Sequence, residues 1–374
     1  MQNTPLAGLK VIELARILAG PWVGQTLSDL GADVIKVESP EGDDTRTWGP
    51  PFIEVEGEKS AAYFHACNRG KQSIIADFRS DEGRELVRKL VADADVVIEN
   101  FKLGGLDKYG LDYESLKAIN PRLIYCSITG FGHTGPYAER AGYDFMIQGM
   151  GGIMDLTGEP DGQPQKIGVA FADIFTGLYS VIAIQSALIM RERTGKSQHI
   201  DMALFDCMSA VLANQAMNYL ASGVSPKRMG NAHPNIAPYQ TLPVSDGYFI
   251  IACGNDGQFA KLTALLGIGE IARDSRFLTN ASRVANRDAL TAMLEERTTQ
   301  WLRDDLLAAL AKAGVPAGPI NTVEDVFADP QFIARQMRID PDGVPGLRTP
   351  IRFSDAELKL DRRSPKLGEH KNDI

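Results

Sequence analysis

Leu9–Glu38 reads LKVIELARILAGPWVGQTLSDLGADVIKVE, and its pattern decides the fold class. LKVIEL is rich in β-formers, GPWVGQTLSDLG has helical spacing and stops on glycine, and ADVIKVE is β-rich again. A strand, a helix and a second strand in so short a compass form a βαβ unit, whose strands run parallel. The alternation continues: KQSIIADF (71–78) reads as a strand, SDEGRELVRKLVADA (80–94) as a helix with Ser80 as N-cap, DVVIENF (95–101) as a strand, DYESLKAIN (112–120) as a helix and RLIYCSITG (122–130) as a strand. Repeated βα units with short connections predict an α/β domain on a Rossmann-like, doubly wound parallel sheet.

Two long helical patterns follow. IFTGLYSVIAIQSALIMRERTG ends in a basic turn and Gly195, as helix ends prefer, and DMALFDCMSAVLANQAMNYLASG closes on Gly223. Composition then shifts at VSPKRMGNAHPNIAPYQ (224–240), rich in Pro, Gly and Asn, which marks a boundary. Expected divisions are a large domain over 1–200, a linker helix over 201–223, a smaller α+β domain over 224–328, and a turn-rich tail, 329–374, that packs back on the large domain. No internal repeat or low-complexity tract is visible.

Composition removes several classes of function. A net charge of −9 argues against nonspecific nucleic-acid binding, so an anionic ligand must meet a local cluster of Lys and Arg. The five histidines fall in no zinc-ligand pattern, and Cys67, Cys126, Cys207 and Cys253 show no C-x-x-C spacing, so no metal is expected and the thiols read as buried and free. Apolar runs are broken every few residues, and MQNTPLAGLK has no charged region followed by an apolar core. The expectation is a cytoplasmic protein without a membrane span.

Three motifs invite functional readings. GFGHTG (130–135) fits G-x-G-x-x-G after a strand, yet Pro136 and Gly142 follow where a dinucleotide site needs a helix, so NAD binding is not expected. CGNDGQ (253–258) is either a plain strand-to-helix turn or a mobile flap. In GVAFADIFTGLYS (168–180), Asp173 is the one acidic residue. An N-cap role explains it, and an ionised carboxylate held at a helix start is also a usable nucleophile. Lys71, Arg79, Lys102 and Lys108 lie near predicted strand ends, the side of a parallel sheet where ligands bind.

The longer phrases carry a resemblance over nearly the whole chain. LAGLKVIELARILAGPWVGQTLSDLGADVIKVESPEGDDTRTWGPPF, ACNRGKQSIIADF, ADVVIENF, INPRLIYCSITGFGHTGPYAERAGYDFMIQGMGGIMDLTGEPDG, GVAFADIFTGLYS and RERTGKSQHIDMAL together resemble the class III CoA-transferase family, the group of formyl-CoA transferase and carnitine CoA-transferase. NAHPNIAPYQ, GNDGQF, AGVPAGPINTVEDVFADPQ and LGEH extend it. The resemblance implies an interlocked homodimer and a transfer that needs coenzyme A thioesters but no metal and no NAD. It makes Asp173 the catalytic nucleophile, which forms first an aspartyl anhydride and then an aspartyl-CoA thioester. An ordinary Asp, with a pKa near 3.9, is anionic at pH 7 without a general base.

By the same resemblance CoA contacts fall on Leu18, Ala19, Arg79, Asn100, Phe101, Lys102 and Lys108, and Arg16 and Ser39 match contact positions but differ in type from formyl-CoA transferase; Lys71, read from its strand-end position, is counted with them. Gly254, Asn255, Asp256, Gly257 and Gln258 match the loop that shields the reacting aspartate, with Asn255 and Asp256 where formyl-CoA transferase has glycines. Trp48 and Tyr143 are counted with the substrate-facing residues. GDDTRTWGPPF and SITGFGHTGPYAERAGYD are similar to the succinyl-CoA-dependent branch acting on glutarate or hydroxymethylglutarate, and Arg46 or Arg140 would meet the distal carboxylate of such a diacid. An α-methylacyl-CoA racemase of the same fold is the alternative. Its AGHD segment supplies a base histidine, and this chain has Tyr143 there, a poor base at neutral pH. A CoA- or nucleotide-sensing module without catalysis is the non-enzyme alternative.

Overall fold

A computed structural model describes residues 3–370; the outermost residues of the expected first and last divisions, 1–2 and 371–374, lie outside the described residues. The described residues form two compact units, one from 3–153, 166–220 and 330–370, the other from 154–165 and 221–329.

The first unit is built on six parallel strands: β1 (Lys10–Glu13), β2 (Asp33–Glu38), β3 (Gln72–Ile75), β4 (Val96–Glu99), β5 (Ile124–Thr129) and β6 (Gln198–Ala203). Their order across the sheet is β3-β2-β1-β4-β5-β6, so the winding reverses between β1 and β4. Both faces are covered, and β4 and β5 are buried along their whole length, which is why VVIE and IYCSIT read as unbroken β-rich runs. On one face lie helices α1 (Ala19–Asp29) and, further along the chain, α5 (Phe171–Thr194), around Val23, Leu27, Ile98, Cys126 and Ile184. The other face holds α2 (Asp81–Ala92) and α3 (Tyr113–Ile119), around Val37, Val87, Val97, Leu116 and Tyr125. Ser80 caps α2 by accepting from the Gly83 N–H, and Gly195 ends α5 in the left-handed conformation, both as the sequence predicts.

Close packing explains two glycines of α1. A Cβ on Gly20 would lie 2.3 Å from that of Ala15, and one on Gly24 would lie 1.8 Å from a Glu13 carboxylate oxygen. α1 therefore rests directly on the sheet.

Two expectations need correction. β6 is a strand that the sequence reading missed, its last three residues being taken as the start of the second long helix; its burial alternates as a strand's should. The proposed linker helix is then two helices, α6 (Leu204–Ala210) and α7 (Ala213–Ser222), broken where Ala213 takes φ +46°. Segment 154–165, expected in the large domain, groups with the second unit.

α5 is long and apolar enough to cross a membrane by length and composition alone. Its Ala172, Thr176, Gly177, Ser180, Ile184 and Ala187 are buried.

The second unit has a three-stranded antiparallel sheet in the order Ala317–Pro319, Gly247–Ala252, Tyr239–Val244. Its core joins Leu242, Phe249 and Ile251 of the sheet to Phe259, Leu262, Leu290, Leu294, Leu306 and Leu310 of three helices. Asp256, Gly257 and Gln258 form the first turn of a helix (Asp256–Leu265), where the sequence reading has a flexible loop. Asn255 caps it from the Gln258 N–H, the Gln258 side chain accepts from the Gly254 N–H, and Asp256 pairs at 2.7 Å with the fully buried Arg283. The turn reading explains this segment better than mobile-flap chemistry does.

Candidate active site

Ligands of open parallel sheets bind beyond the carboxyl ends of the strands where the winding reverses. Here that point lies between the loop leaving β1 and the segment leaving β4. Asn100, directly after β4, clasps the backbone of the β1 loop: its side chain accepts from the Arg16 N–H at 2.9 Å and donates to the Arg16 carbonyl at 2.6 Å. The next residue, Ile17, has φ +73°, a strained value for a β-branched side chain, and its N–H is held by the Asp43 carboxylate at 3.2–3.3 Å. Two side-chain anchors thus fix a loop conformation that the residue itself disfavours.

A cavity of ≈ 420 Å³ opens at this point. Its walls are Arg16–Ala19 after β1, Asn100–Lys102 and Lys108 after β4, the 138–144 segment and Asp173. A second cavity, ≈ 230 Å³, shares Arg16, Phe101 and Tyr109 with the first and adds Ser39 and Arg79. Of the expected CoA contacts, Arg16, Leu18, Ala19, Asn100, Phe101, Lys102 and Lys108 line the first cavity, and Ser39 and Arg79 line the second.

Asp173 is the third residue of α5 and not its N-cap. Ala170 holds the cap position and has no side chain to offer. The cap comes from Asp144, at the start of helix α4 (Asp144–Met150): its Oδ1 accepts from the N–H groups of Ala172 at 2.8 Å and Asp173 at 3.3 Å. Its other oxygen accepts from Gln148. With the free amides satisfied by Asp144, the Asp173 carboxyl makes no hydrogen bond or ion pair among the described residues and faces the cavity.

Burial, and then the neighbouring Asp144 charge, push the Asp173 pKa up from 3.8 to about 7. The expectation of a carboxylate fully ionised at pH 7 is thereby corrected, because desolvation outweighs the helix amides. Tyr63 lies near enough that burial and the Asp173 charge together raise its phenol to about 12. Trp48 packs edge-on against Tyr63, 5.5 Å between ring centroids, and does not line the cavity.

Two predicted site residues are consumed by the fold. Lys71 is buried, its ammonium held by Glu13, the Pro21 carbonyl and Asn68 at 2.8–2.9 Å, and so is not a CoA contact. Arg46 is buried too: it grips Glu38 with two hydrogen bonds of 2.7–2.8 Å, donates to the Pro365 carbonyl and stacks on Phe64. Four of its five N–H donors are taken up in this way, so it cannot offer a two-pronged contact to a substrate carboxylate. Both belong to a charge-balanced network in which Glu13 also pairs with Lys36, and Lys36 with Asp43. Strand-end position, read from sequence, does not separate a lysine that rises from the sheet from one that folds into it.

Arg140 and Tyr143 line the cavity as expected. GFGHTG opens no helix; Gly130 instead packs against Gly142, where an added Cβ would lie 2.6 Å from the Gly142 Cα, and this contact shapes the 138–144 wall. Sequence reasoning missed Ile17, Tyr63 and Asp144. For Asp144 a signal existed, an Asp at a helix start in AGYD, but its neighbour Tyr143 drew the attention. Among the described residues no group of three or more His, Cys, Asp or Glu is placed to hold a metal ion.

Comparison with known proteins identifies the family. The profile of CoA-transferase family III matches residues 6–371. The chain is 62% identical over 381 residues to succinate–glutarate CoA-transferase of Agrobacterium fabrum, covering all of this chain and 95% of the relative. It is 41% identical to human succinyl-CoA:glutarate CoA-transferase, covering 99% of this chain and 85% of the relative. Among solved structures, a CAIB/BAIF family protein from Brucella suis is 89% identical, with a TM-score of 0.90, covering 99% of this chain and 98% of that one. Sequence, sheet order and cavity converge, and the chain belongs to CoA-transferase family III, enzymes whose substrates are CoA thioesters.

Proposed function

We propose that this enzyme moves CoA from succinyl-CoA to glutarate or a diacid of similar length through covalent intermediates on Asp173. The observation that carries the reading is an unpaired carboxyl on the wall of the switch-point cavity that Lys102 and Lys108 also line. The relatives' names supply the substrate class.

In the first step an Asp173 oxygen attacks the thioester carbonyl, the C–S bond breaks, and CoA leaves as thiolate. The thiolate then attacks the aspartyl carbonyl of the mixed anhydride and expels succinate, leaving Asp173 bonded to sulfur. Glutarate attacks this thioester and releases CoA thiolate a second time. Attack of the thiolate on the glutaryl carbonyl gives glutaryl-CoA and restores the carboxylate. Each step exchanges one acyl bond for another, so no net oxidant, proton donor or phosphoanhydride enters. CoA is read along the Lys102 and Lys108 wall into the second cavity, where Arg79 and Ser39 stand.

Self-association is part of the proposal. Tyr143 and Phe145 beside α4, Ile182 and Ile189 of α5, and Met217 and Leu220 of α7 are all more than half exposed, an apolar surface that a second copy would cover. The resemblance to the family supplies the interlocked form. Light scattering that found only an active monomer would remove it.

The deciding experiment incubates the enzyme with succinyl-CoA and separately with glutarate, oxalate, malate, itaconate and carnitine, and resolves the CoA esters by chromatography. Glutaryl-CoA is the expected product, and hydroxylamine added after succinyl-CoA is expected to mark Asp173. Transfer to none of the diacids would refute the substrate class; full turnover by Asp173→Ala would refute the intermediate.

A further inference from the structure

We propose that Arg140 receives the distal carboxylate of both the donor acyl chain and the acceptor acid, and so sets the enzyme's choice of diacids. This rests on the reading above that Asp173 carries the acyl group.

The cavity's cations divide by wall. Lys102 and Lys108 follow β4, on the side continuous with the second cavity through Phe101 and Tyr109. Arg16 is paired with Asp44 at 3.0 Å. Arg140 stands on a different segment, the one that follows β5, four residues before Asp144, whose carboxylate reaches the Asp173 N–H. Its guanidinium lies over the Tyr137 ring at 4.5 Å and the Phe131 ring at 5.6 Å, and makes no hydrogen bond or ion pair among the described residues. A charged fork steadied on aromatic faces with all its donors unused is suited to a two-pronged carboxylate contact. Arg46, the other arginine the sequence suggested, is locked on Glu38.

One arginine can serve both half-reactions because there is one nucleophile. Donor and acceptor acyl groups are bonded in turn to the same Asp173 oxygen, so their chains leave from the same point. Succinyl and glutaryl carboxylates then end one methylene apart, a difference the flexible Arg140 stem absorbs. A single acyl site of this kind predicts that losing the arginine damages donor and acceptor together.

The test compares wild-type enzyme with Arg140→Met, which keeps an unbranched stem against Tyr137, and Arg140→Lys, which keeps charge without the fork. Two substrate pairs are used: succinyl-CoA with glutarate, and the methyl-ended isosteres butyryl-CoA with pentanoate. The readout is the ratio of kcat/KM between pairs. Hydrogen bonds to a charged group imply a fall in that ratio of about 10- to 100-fold in Arg140→Met, with a smaller fall in Arg140→Lys. An unchanged ratio in both variants, with wild-type enzyme still making glutaryl-CoA, overturns the role of Arg140 alone. Wild-type enzyme making no glutaryl-CoA overturns the functional reading and this inference together.

Discussion

Replacing Asp173 by Asn should stabilise the protein, and by more at pH 8 than at pH 5. The carboxyl's pKa rises on folding from 3.8 to about 7. The folded state therefore holds the proton more tightly than the unfolded one. The folded chain carries no penalty from this group below pH 3.8, a growing penalty from there to pH 7, and the full penalty above it. A difference of roughly three pH units at about 1.4 kcal/mol each makes the full cost ~4 kcal/mol. At pH 5 a little over one pH unit of the gap is expressed, so the cost there is ~1.5–2 kcal/mol. Asparagine is close in shape and never ionises. Its advantage over wild type should accordingly be ~2–3 kcal/mol larger at pH 8 than at pH 5. Urea unfolding of both proteins at the two pH values, read as midpoint and slope, measures this. An advantage equal at both pH values, or larger in acid, would refute the placement of an unpaired, desolvated carboxyl at this point, since only a group that ionises between those pH values produces the difference.

Three further outcomes follow from the same geometry. On the proposed mechanism the logarithm of kcat/KM for succinyl-CoA should fall with unit slope below about pH 7, because a protonated Asp173 could not make the proposed attack; a flat profile from pH 5 to 8 would contradict it. Asp144→Ala removes both the cap of α5 and the second source of the raised pKa, so it should cost ~1 kcal/mol in unfolding and move the acid limb of that profile to lower pH. Arg46→Met leaves Glu38 buried without its cation and should destabilise by ~3–5 kcal/mol with no change in KM for glutarate; a rise in that KM without loss of stability would return Arg46 to the substrate site.

The fold was legible wherever both faces of the sheet impose the same demand. Ile98, Val97 and Ile124 are buried from either side, so their runs are continuous and the strands stand out. β6 was not legible, because its end Asp201–Ala203 runs without a break into the apolar residues of α6, and only pairing with β5 separates strand from helix. In the site, Asp173 was legible as a carboxyl out of keeping with its surroundings. The partner that keeps its oxygens unoccupied was not, since Asp144 lies on another helix, and local spacing carries no information about a cap supplied across the fold. Lys71 and Arg46 failed for a related reason: a cation's free or paired state is decided by residues such as Glu13 and Glu38 that precede it by 58 and 8 positions.

The raised pKa of Asp173 bears on which intermediate the enzyme favours. On the proposed mechanism, the CoA thiolate has two carbonyls to choose from in the mixed anhydride. Attack on the acyl carbonyl expels Asp173 as an ion in a site that disfavours its charge, whereas attack on the aspartyl carbonyl expels an ordinary carboxylate that water solvates. Conversion to the thioester also turns a desolvated anion into a neutral group and releases the same ~4 kcal/mol that the ionised form costs the folded chain. Forming aspartyl-CoA from acyl-CoA would be close to balanced for two carboxylates of equal pKa, and burial tilts it toward the enzyme-bound thioester. The position of Asp144 sharpens this effect, because it occupies the helix amides that would otherwise steady the Asp173 anion and adds a like charge beside it. If Asp173 is the proposed nucleophile, a cap supplied from another helix is more than a fold device: by taking the amides for itself, Asp144 leaves Asp173 with covalent bonding as its way to lose an unfavourable charge.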